Sequence, residues 1–197
     1  RRGTNMRATA NNNFVYLGGF PIGYWPTFST NLAEPNFYVS SVKFKNDTIF
    51  GAQLYTELDI LQLLGIQQPE GTKLRVSADY LSERGPALGA RFDYDRPTWI
   101  FGAPGTGFSD VWFIRDRGLD TLGSDRVNLD PEESTRGRAL SRHRLFFTPN
   151  VELMLETGYI SDRNFLEQYF ENEWEQEKDF STAARLRRYN GNRMLDV

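Results

Sequence analysis

The chain has no cysteine, which excludes structural disulfides and thiolate metal sites within it and leaves redox compartment unread. No apolar run approaches the roughly 18 residues that mark a spanning helix. That excludes a helical membrane protein. A β-barrel stays open, because barrel strands give only a weak, alternating signal. Strong charge of either sign is also missing. The net charge is −3 over 197 residues, which argues against general nucleic-acid binding. Histidine is nearly absent, with His143 the one copy. The sequence starts Arg1-Arg2-Gly3, with neither an initiator Met nor an apolar leader, and reads as an internal piece of a longer protein.

Aromatic side chains, by contrast, make up 14% of the residues, which in so polar a chain fits strands with one greasy face. The clearest pattern lies between Lys73 and Asp95. Leu74, Val76, Ala78 and Tyr80 alternate with Lys73, Arg75, Ser77 and Asp79. After a break at Glu83-Arg84-Gly85-Pro86, Leu88, Ala90, Phe92 and Tyr94 alternate with Gly89, Arg91, Asp93 and Asp95. A period of two over this length predicts a β-hairpin with one apolar and one charged face. Solvent beside a soluble sheet accounts for a face carrying Arg75, Asp79, Arg91 and Asp93, and so does the wet interior of a membrane barrel.

Around that hairpin the chain reads as all-β. Phe14–Leu17 is a short strand stopped by Gly18-Gly19. Pro21 and Pro26 keep the next segment out of any central strand, so it reads as an edge or a crossover. A change of composition near Asn36 divides the chain into residues 1–36 and 37–197. The second part predicts about eight long antiparallel strands joined as hairpins: 37–45, 49–59, the two of the central hairpin, 108–115, 138–148, 151–160 and 180–189. Residues 60–66 fit one helical turn, and 116–137 read as a long polar loop. Asn164-Phe165-Leu166-Glu167 has capping-box form, with Phe165, Leu166, Tyr169, Phe170 and Trp174 on one side of a helix. No helices alternate with the strands, which excludes a parallel α/β sheet. Most strands approach ten residues, the length that crosses a tilted bilayer span. Tyr80, Tyr94, Trp99, Trp112 and Tyr159 lie near strand ends, as an aromatic girdle requires. A soluble β-sandwich with aromatics in its core fits the same pattern.

Candidate chemistry is sparse. Asp79 and Asp93 share a hairpin face, as a glycosidase carboxylate pair would, but no apolar pocket that would raise one pKa is identifiable, and charges bathed in water are the favoured reading. His143 sits between Arg142 and Arg144, cations that disfavour its protonated form, and no Ser or Asp at a recognisable spacing makes it a triad base. Gly102 to Gly107 is glycine-rich but lacks the Gly-Lys-Ser/Thr ending of a phosphate loop. Glu167, Glu171, Glu173, Glu175 and Glu177 lack EF-hand spacing and read as a solvated helix face. Arginines 136, 138, 142, 144, 185, 187 and 188 are suited to phosphates, with solvated or salt-bridged side chains as the default reading. None of these constellations forms a catalytic or metal site, so the chain does not read as an enzyme.

One group of residues points further. Phe20-Pro21-Ile22-Gly23-Tyr24-Trp25-Pro26 resembles the Pro-Val-Phe-Tyr-x-Pro-Tyr segment that ends the periplasmic domain of the lipopolysaccharide-assembly outer-membrane proteins (the LptD, or organic solvent tolerance, family). The order of elements after it is similar, including the strand, Ser-Glu-Arg-Gly, strand hairpin. Gly158-Tyr159-Ile160-Ser161-Asp162-Arg163-Asn164-Phe165-Leu166-Glu167-Gln168-Tyr169-Phe170 looks like the family's strand-end segment, an Asp followed by an aromatic pair.

The resemblance covers the chain from about Phe14 onward. It implies that residues 1–36 end a periplasmic β-jellyroll, with Pro21, Tyr24, Trp25 and Pro26 at the junction, and that residues 37–197 begin a very large outer-membrane β-barrel of a Gram-negative cell. The first strand, with Phe37, Val39, Ser41, Val42 and Phe44, would form one side of a lateral gate. Val39 and Ser41 would lie on one face of it, Val42 and Phe44 on the other. Arg75, Asp79, Arg91 and Asp93 would line a wet lumen for sugars and phosphates. Strand parity would put 46–48, 82–86, 116–137 and 161–178 outside the cell. The implied partners are lipopolysaccharide, a plug lipoprotein like LptE and a periplasmic bridge like LptA, with no cofactor and no nucleic acid. Unlike family members, which carry prolines in their first two strands, this chain has none in 37–45 or 49–59. The competing expectations are a soluble carbohydrate-binding β-sandwich and a glycoside hydrolase built on Asp79 and Asp93.

Overall fold

The computed structural model describes residues 7–17, 20–31, 38–176 and 181–197. The chain divides into two compact units, Arg1–Tyr38 and Val39–Val197. The first holds strands β1 (Arg7–Leu17) and β2 (Phe20–Asn31), paired antiparallel. A two-stranded sheet has only edges, which is why β2 accommodates Pro21 and Pro26 within its span. Tyr24 and Trp25 stand in register with Phe14 and Asn13. The expected stop at Gly18-Gly19 and the boundary at Asn36 lie outside the described residues.

The second unit is a nine-stranded antiparallel sheet. Its strands are β3 (Val39–Asp47), β4 (Gly51–Asp59), β5 (Thr72–Leu81), β6 (Gly85–Arg96) and β7 (Gly105–Arg115). After an excursion they continue as β10 (Thr135–Thr148), β11 (Val151–Ile160), β12 (Ala183–Asn190) and β13 (Arg193–Asp196). Each strand pairs with the next, so the sheet is an open meander with β3 and β13 at its edges. The excursion is a small hairpin, β8 (Asp120–Leu122) and β9 (Arg126–Leu129). Helix α1 (Ile60–Leu63) makes the expected turn after β4, capped by the Asp59 side chain. Helices α2 (Phe165–Tyr169) and α3 (Glu171–Glu175) follow β11.

Four sequence expectations need correction. Residues 116–137 are not one loop: they hold β8, β9 and the start of β10. The helical segment is two short helices broken at Phe170 (φ −134°, ψ 50°). Trp174 therefore leaves the aromatic stripe and stands half exposed. The capping box does not form. Asn164 is itself helical and makes no side-chain cap; its amide donates to Asp162 instead, and Glu167 reaches sideways to Arg126. Finally, β3 carries a register shift between Val39 and Ser41. Val39 pairs with Leu58 and Val42 with Thr56, two positions on one face of β4. The extra residue of the bulge thus puts Val39 on the side of Val42 and Phe44, not of Ser41.

Register fixes the two faces of the sheet. One holds Val42, Phe44, Tyr80, Leu88, Phe113, Tyr159 and Leu186, all between 37% and 68% exposed. The opposite face holds Arg75, Asp79, Arg91, Asp93, Asp110, Trp112, Arg136 and Arg138. The hydrophobic cluster lies on this polar side, at one end. There Leu81, Ala87, Trp112 and Ile114 meet Phe165 and Leu166 of α2. Phe50, from the turn before β4, joins it through Tyr169, with ring centroids 5.4 Å apart. Gly85 (φ +132°) opens β6 beneath this cluster, where a Cβ would sit 2.4 Å from the Arg115 carbonyl oxygen.

Candidate functional site: a charged sheet face capped at one end

Arg75, Asp79, Arg91 and Asp93 do share the polar face, because cross-strand partners project to the same side. Three of them belong to a chain of alternating charge that crosses the sheet. Arg75 bridges Glu57 (3.0 Å) and Asp93 (2.9 Å). Arg91 bridges Asp93 (2.9 Å) and Asp110 (3.5 Å). Arg138 bridges Asp110 (3.2 Å) and Glu173 of α3 (3.1 Å). Each acidic group between two guanidiniums is held by both, so the chain runs unbroken from β4 to the helical cap.

Asp79 stands apart from it. Its carboxylate accepts from Trp112 Nε1 (2.8 Å) and from the Thr56 amide (3.1 Å). Asp79 is in register with Ala87 and Asp93 with Lys73, six positions along β5, or about 20 Å. Paired glycosidase carboxylates stand about 5 to 10 Å apart, so these two do not act on one bond.

The capped end gathers charges that the sequence had scattered. Arg136 is fully buried and reaches Asp116 (2.9 Å), Asp120 (2.6 Å) and Asp162 (2.9 Å). Arg84, from the β5–β6 turn, is 1% exposed and lies 3.4 Å from Asp116 and 3.3 Å from Asp120. The Tyr169 hydroxyl donates to Asp116 (2.6 Å), and both guanidiniums stack on its ring. Burial pushes the Tyr169 phenol far above its ordinary value, and the bond to Asp116 adds to the rise. Burial alone would raise the Asp162 carboxyl, but Arg136, the Ser161 hydroxyl and the Asn164 amide hold it below the usual carboxylate range. The turns joining β3–β4, β5–β6, β7–β8 and β11–α2 are thereby tied into one body.

Arg138 is 5% exposed, stacks on Phe170 at 4.2 Å, and uses one nitrogen for both its carboxylates. Its Nε and Nη1 have no partner, nor has Glu173 Oε2. A buried donor left unmatched costs about 1–3 kcal/mol, so this is an ill-fitting contact.

Away from the cap, the polar face opens into hollows on either side of Phe108. One, of about 730 Å³, is lined by Arg142, Arg144, Arg185, Met154 and Val197 among others; the second, of about 620 Å³, by Lys73, Arg75 and Asp93. The arginines there are paired, Arg142 with Glu156, Arg144 with Glu152 and Arg185 with Asp196. His143 points the other way, onto the apolar face. Its neighbour is not Arg142 or Arg144 but Tyr94, whose hydroxyl lies 3.0 Å from Nδ1 and whose ring stacks at 5.6 Å. Tyr94 is itself buried, with Trp99 of the β6–β7 connection stacked on it at 4.9 Å.

Of the gate positions, Val39, Ser41, Val42 and Phe44 fall on the edge strand β3; Phe37 lies outside the described residues. Among the described residues no group of His, Asp or Glu is placed to hold a metal ion, and no helix is long and apolar enough to cross a membrane. No protein-family model matches the chain, and no curated protein matches it.

Sequence reasoning missed Arg84, Asp116, Asp120 and Asp162 as a cluster, and it left Arg136 among the solvated or salt-bridged arginines without naming its partners. The available hint was positional. All five sit at strand ends or in the connections of one side, which an antiparallel meander brings together.

Proposed function

We propose that this chain is part of the wall of an outer-membrane barrel of the lipopolysaccharide-assembly type, with its apolar face toward lipid and its charged face toward a wet path for sugars and phosphates. The observation that carries this reading is the exposed apolar face of the sheet. Leu88, Tyr159 and Phe44 on it are 68%, 54% and 52% exposed. A sheet in water buries side chains of this kind. A barrel wall meets hydrocarbon on that side, which removes the cost, and water on the other, where Arg75 and Arg91 remain 29% and 39% exposed. The spans agree: β3 to β7, β10 and β11 run from 9 to 14 residues, long enough for a tilted bilayer crossing.

On this reading β3 is one side of the gate. Val39, Val42 and Phe44 border acyl chains, and Ser41 faces the lumen with Arg75, Asp79, Arg91 and Asp93. Pro21, Tyr24, Trp25 and Pro26 belong to the end of the jellyroll that receives lipopolysaccharide from the periplasmic bridge. A plug lipoprotein fills the lumen. The open sheet becomes a barrel through strands outside this segment. β3 has no proline, and its irregularity is the bulge between Val39 and Ser41.

The test uses the full protein in a background free of other cysteines. Leu88→Cys and Ser77→Cys, each carrying a fluorescent label, are reconstituted into liposomes. The Leu88 label is quenched by brominated acyl chains and the Ser77 label by aqueous iodide. Quenching of both by iodide alone overturns the membrane reading. A photoreactive residue replacing Val42 captures lipopolysaccharide in cells; capture of phospholipid only refutes the gate.

A further inference from the structure

We infer that Arg138 is a phosphate-binding site that Glu173 occupies as a placeholder. A guanidinium presents a planar fork that fits carboxylate or phosphate through two parallel bonds. Arg138 does not use that fork. Nη2 alone is shared between Asp110 and Glu173, while Nε and Nη1 stay empty in a side chain that is 6% exposed. The second Glu173 oxygen is equally unmatched. A phosphate monoester carries three acceptor oxygens and more charge than a carboxylate, so it can take the empty donors as well as the occupied one.

The occupant is also poorly anchored. Helix α3 is five residues long and has no buried residue, whereas α2 buries Phe165, Leu166 and Gln168. The break at Phe170 separates them. Phe170 packs on both Phe165 and Trp112, so it stays beneath the guanidinium when α3 swings away. The arrangement is a binding group covered by a detachable acidic lid. It rests on the geometry of Arg138 and holds whichever environment the apolar face meets.

Hydrogen exchange of the full protein in detergent tests this, with inorganic phosphate and glucose 1-phosphate as probes and chloride at matched ionic strength as control. Phosphate raises exchange across residues 171–176 saturably and leaves 165–169 protected. In Glu173→Gln, which keeps Arg138 intact, half-saturation falls about fivefold, the scale of a weak ion pair. In Arg138→Lys, which keeps the charge without the fork, the response to phosphate is lost. A lower half-saturation with glucose 1-phosphate assigns the site to phosphorylated sugars; equal values assign it to the phosphate group alone. Should phosphate act no differently from chloride, or Glu173→Gln leave half-saturation unmoved, the site does not exist. If Arg138→Lys disturbs the fold, exchange rises in 165–169 as well, and the Glu173→Gln comparison decides.

Discussion

Two charge networks lie on one face of this sheet and use the same residue types to opposite ends. At the capped end, Arg84 and Arg136 are 1% and 0% exposed, locked against Asp116, Asp120 and Asp162 under α2. At mid-face, Arg75 and Arg91 remain 29% and 39% exposed, strung between Glu57, Asp93 and Asp110. The pair distances hardly differ, so depth makes the difference. A buried guanidinium cannot lose a partner without leaving bare charge in a medium that cannot solvate it. A half-exposed one exchanges a carboxylate for water at little cost. The capped end therefore fixes the connections in place, and the mid-face keeps a wet, exchangeable surface.

Arg136→Met is the most severe way to break this contrast. It leaves Asp116 and Asp120 with Arg84 as their one cation and Asp162 with none, and removing one partner from a buried network costs about 3–5 kcal/mol. Urea unfolding of the full protein in detergent, followed by tryptophan fluorescence, reads the loss directly. A loss below about 1 kcal/mol, the range of exposed pairs, would erase the distinction between the two networks.

Acid removes part of the same cluster without mutation. The Asp162 carboxyl is held low in the fold, so its contribution is present above the ordinary carboxylate pKa of about 4 and disappears as pH falls through the lower folded value. Tyr169 has the opposite sign. Its phenol is raised in the fold, so its contribution is complete below about pH 10 and declines above it. The protection factor at α2, taken relative to the intrinsic exchange rate at each pH, is expected to stay flat between these limits and to fall outside them. A fall centred near pH 6 would mean that some other group controls the cap.

Trp112→Phe falls between the extremes. It keeps the ring among Phe165, Tyr169 and Phe170 but removes the donor to Asp79, which is 7% exposed. The Thr56 amide remains as a partner, so the expected loss is about 1–3 kcal/mol. In Trp112→Phe/Asp79→Asn the amide no longer leaves a bare charge, and part of the loss returns. Equal losses in the single and double variants would show that the indole donor does not stabilise the carboxylate.

The mid-face was more legible in the sequence than the cap, and the reason is physical. A period of two is local, so the sequence alone places Arg75, Asp79, Arg91 and Asp93 on one face. The central hairpin, α1 and the break between 138–148 and 151–160 follow from equally local signals. Cluster members such as Asp120 and Asp162 come from connections 42 positions apart in sequence, and no periodicity links them. The bulge in β3 was invisible for a related reason. One inserted residue reverses parity, and Ser40-Ser41 carries no glycine or proline to mark it. His143 is packed, and burial rather than its flanking arginines disfavours its protonated form, because sequence neighbours in a strand point to opposite faces.

The smallest expected effect is at Arg91, and it is the sharpest test of depth against distance. Arg91 holds Asp93 through Nε and Nη2, at 3.1 and 2.9 Å, a bidentate geometry as good as any in the buried cluster. It also stacks on Phe108 at 5.0 Å. If contact geometry set the energy, Arg91→Gln would cost as much as Arg136→Met. Solvent access predicts otherwise. Asp93 keeps Arg75 at 2.9 Å, water replaces what is lost, and the change is at most about 1 kcal/mol. That remainder should shrink further in 1 M salt, where the Debye length is about 3 Å, while the cost of Arg136→Met stays put. A salt-independent loss at Arg91 would mean that the mid-face is as dry as the capped end, and a wet path along it would then be excluded.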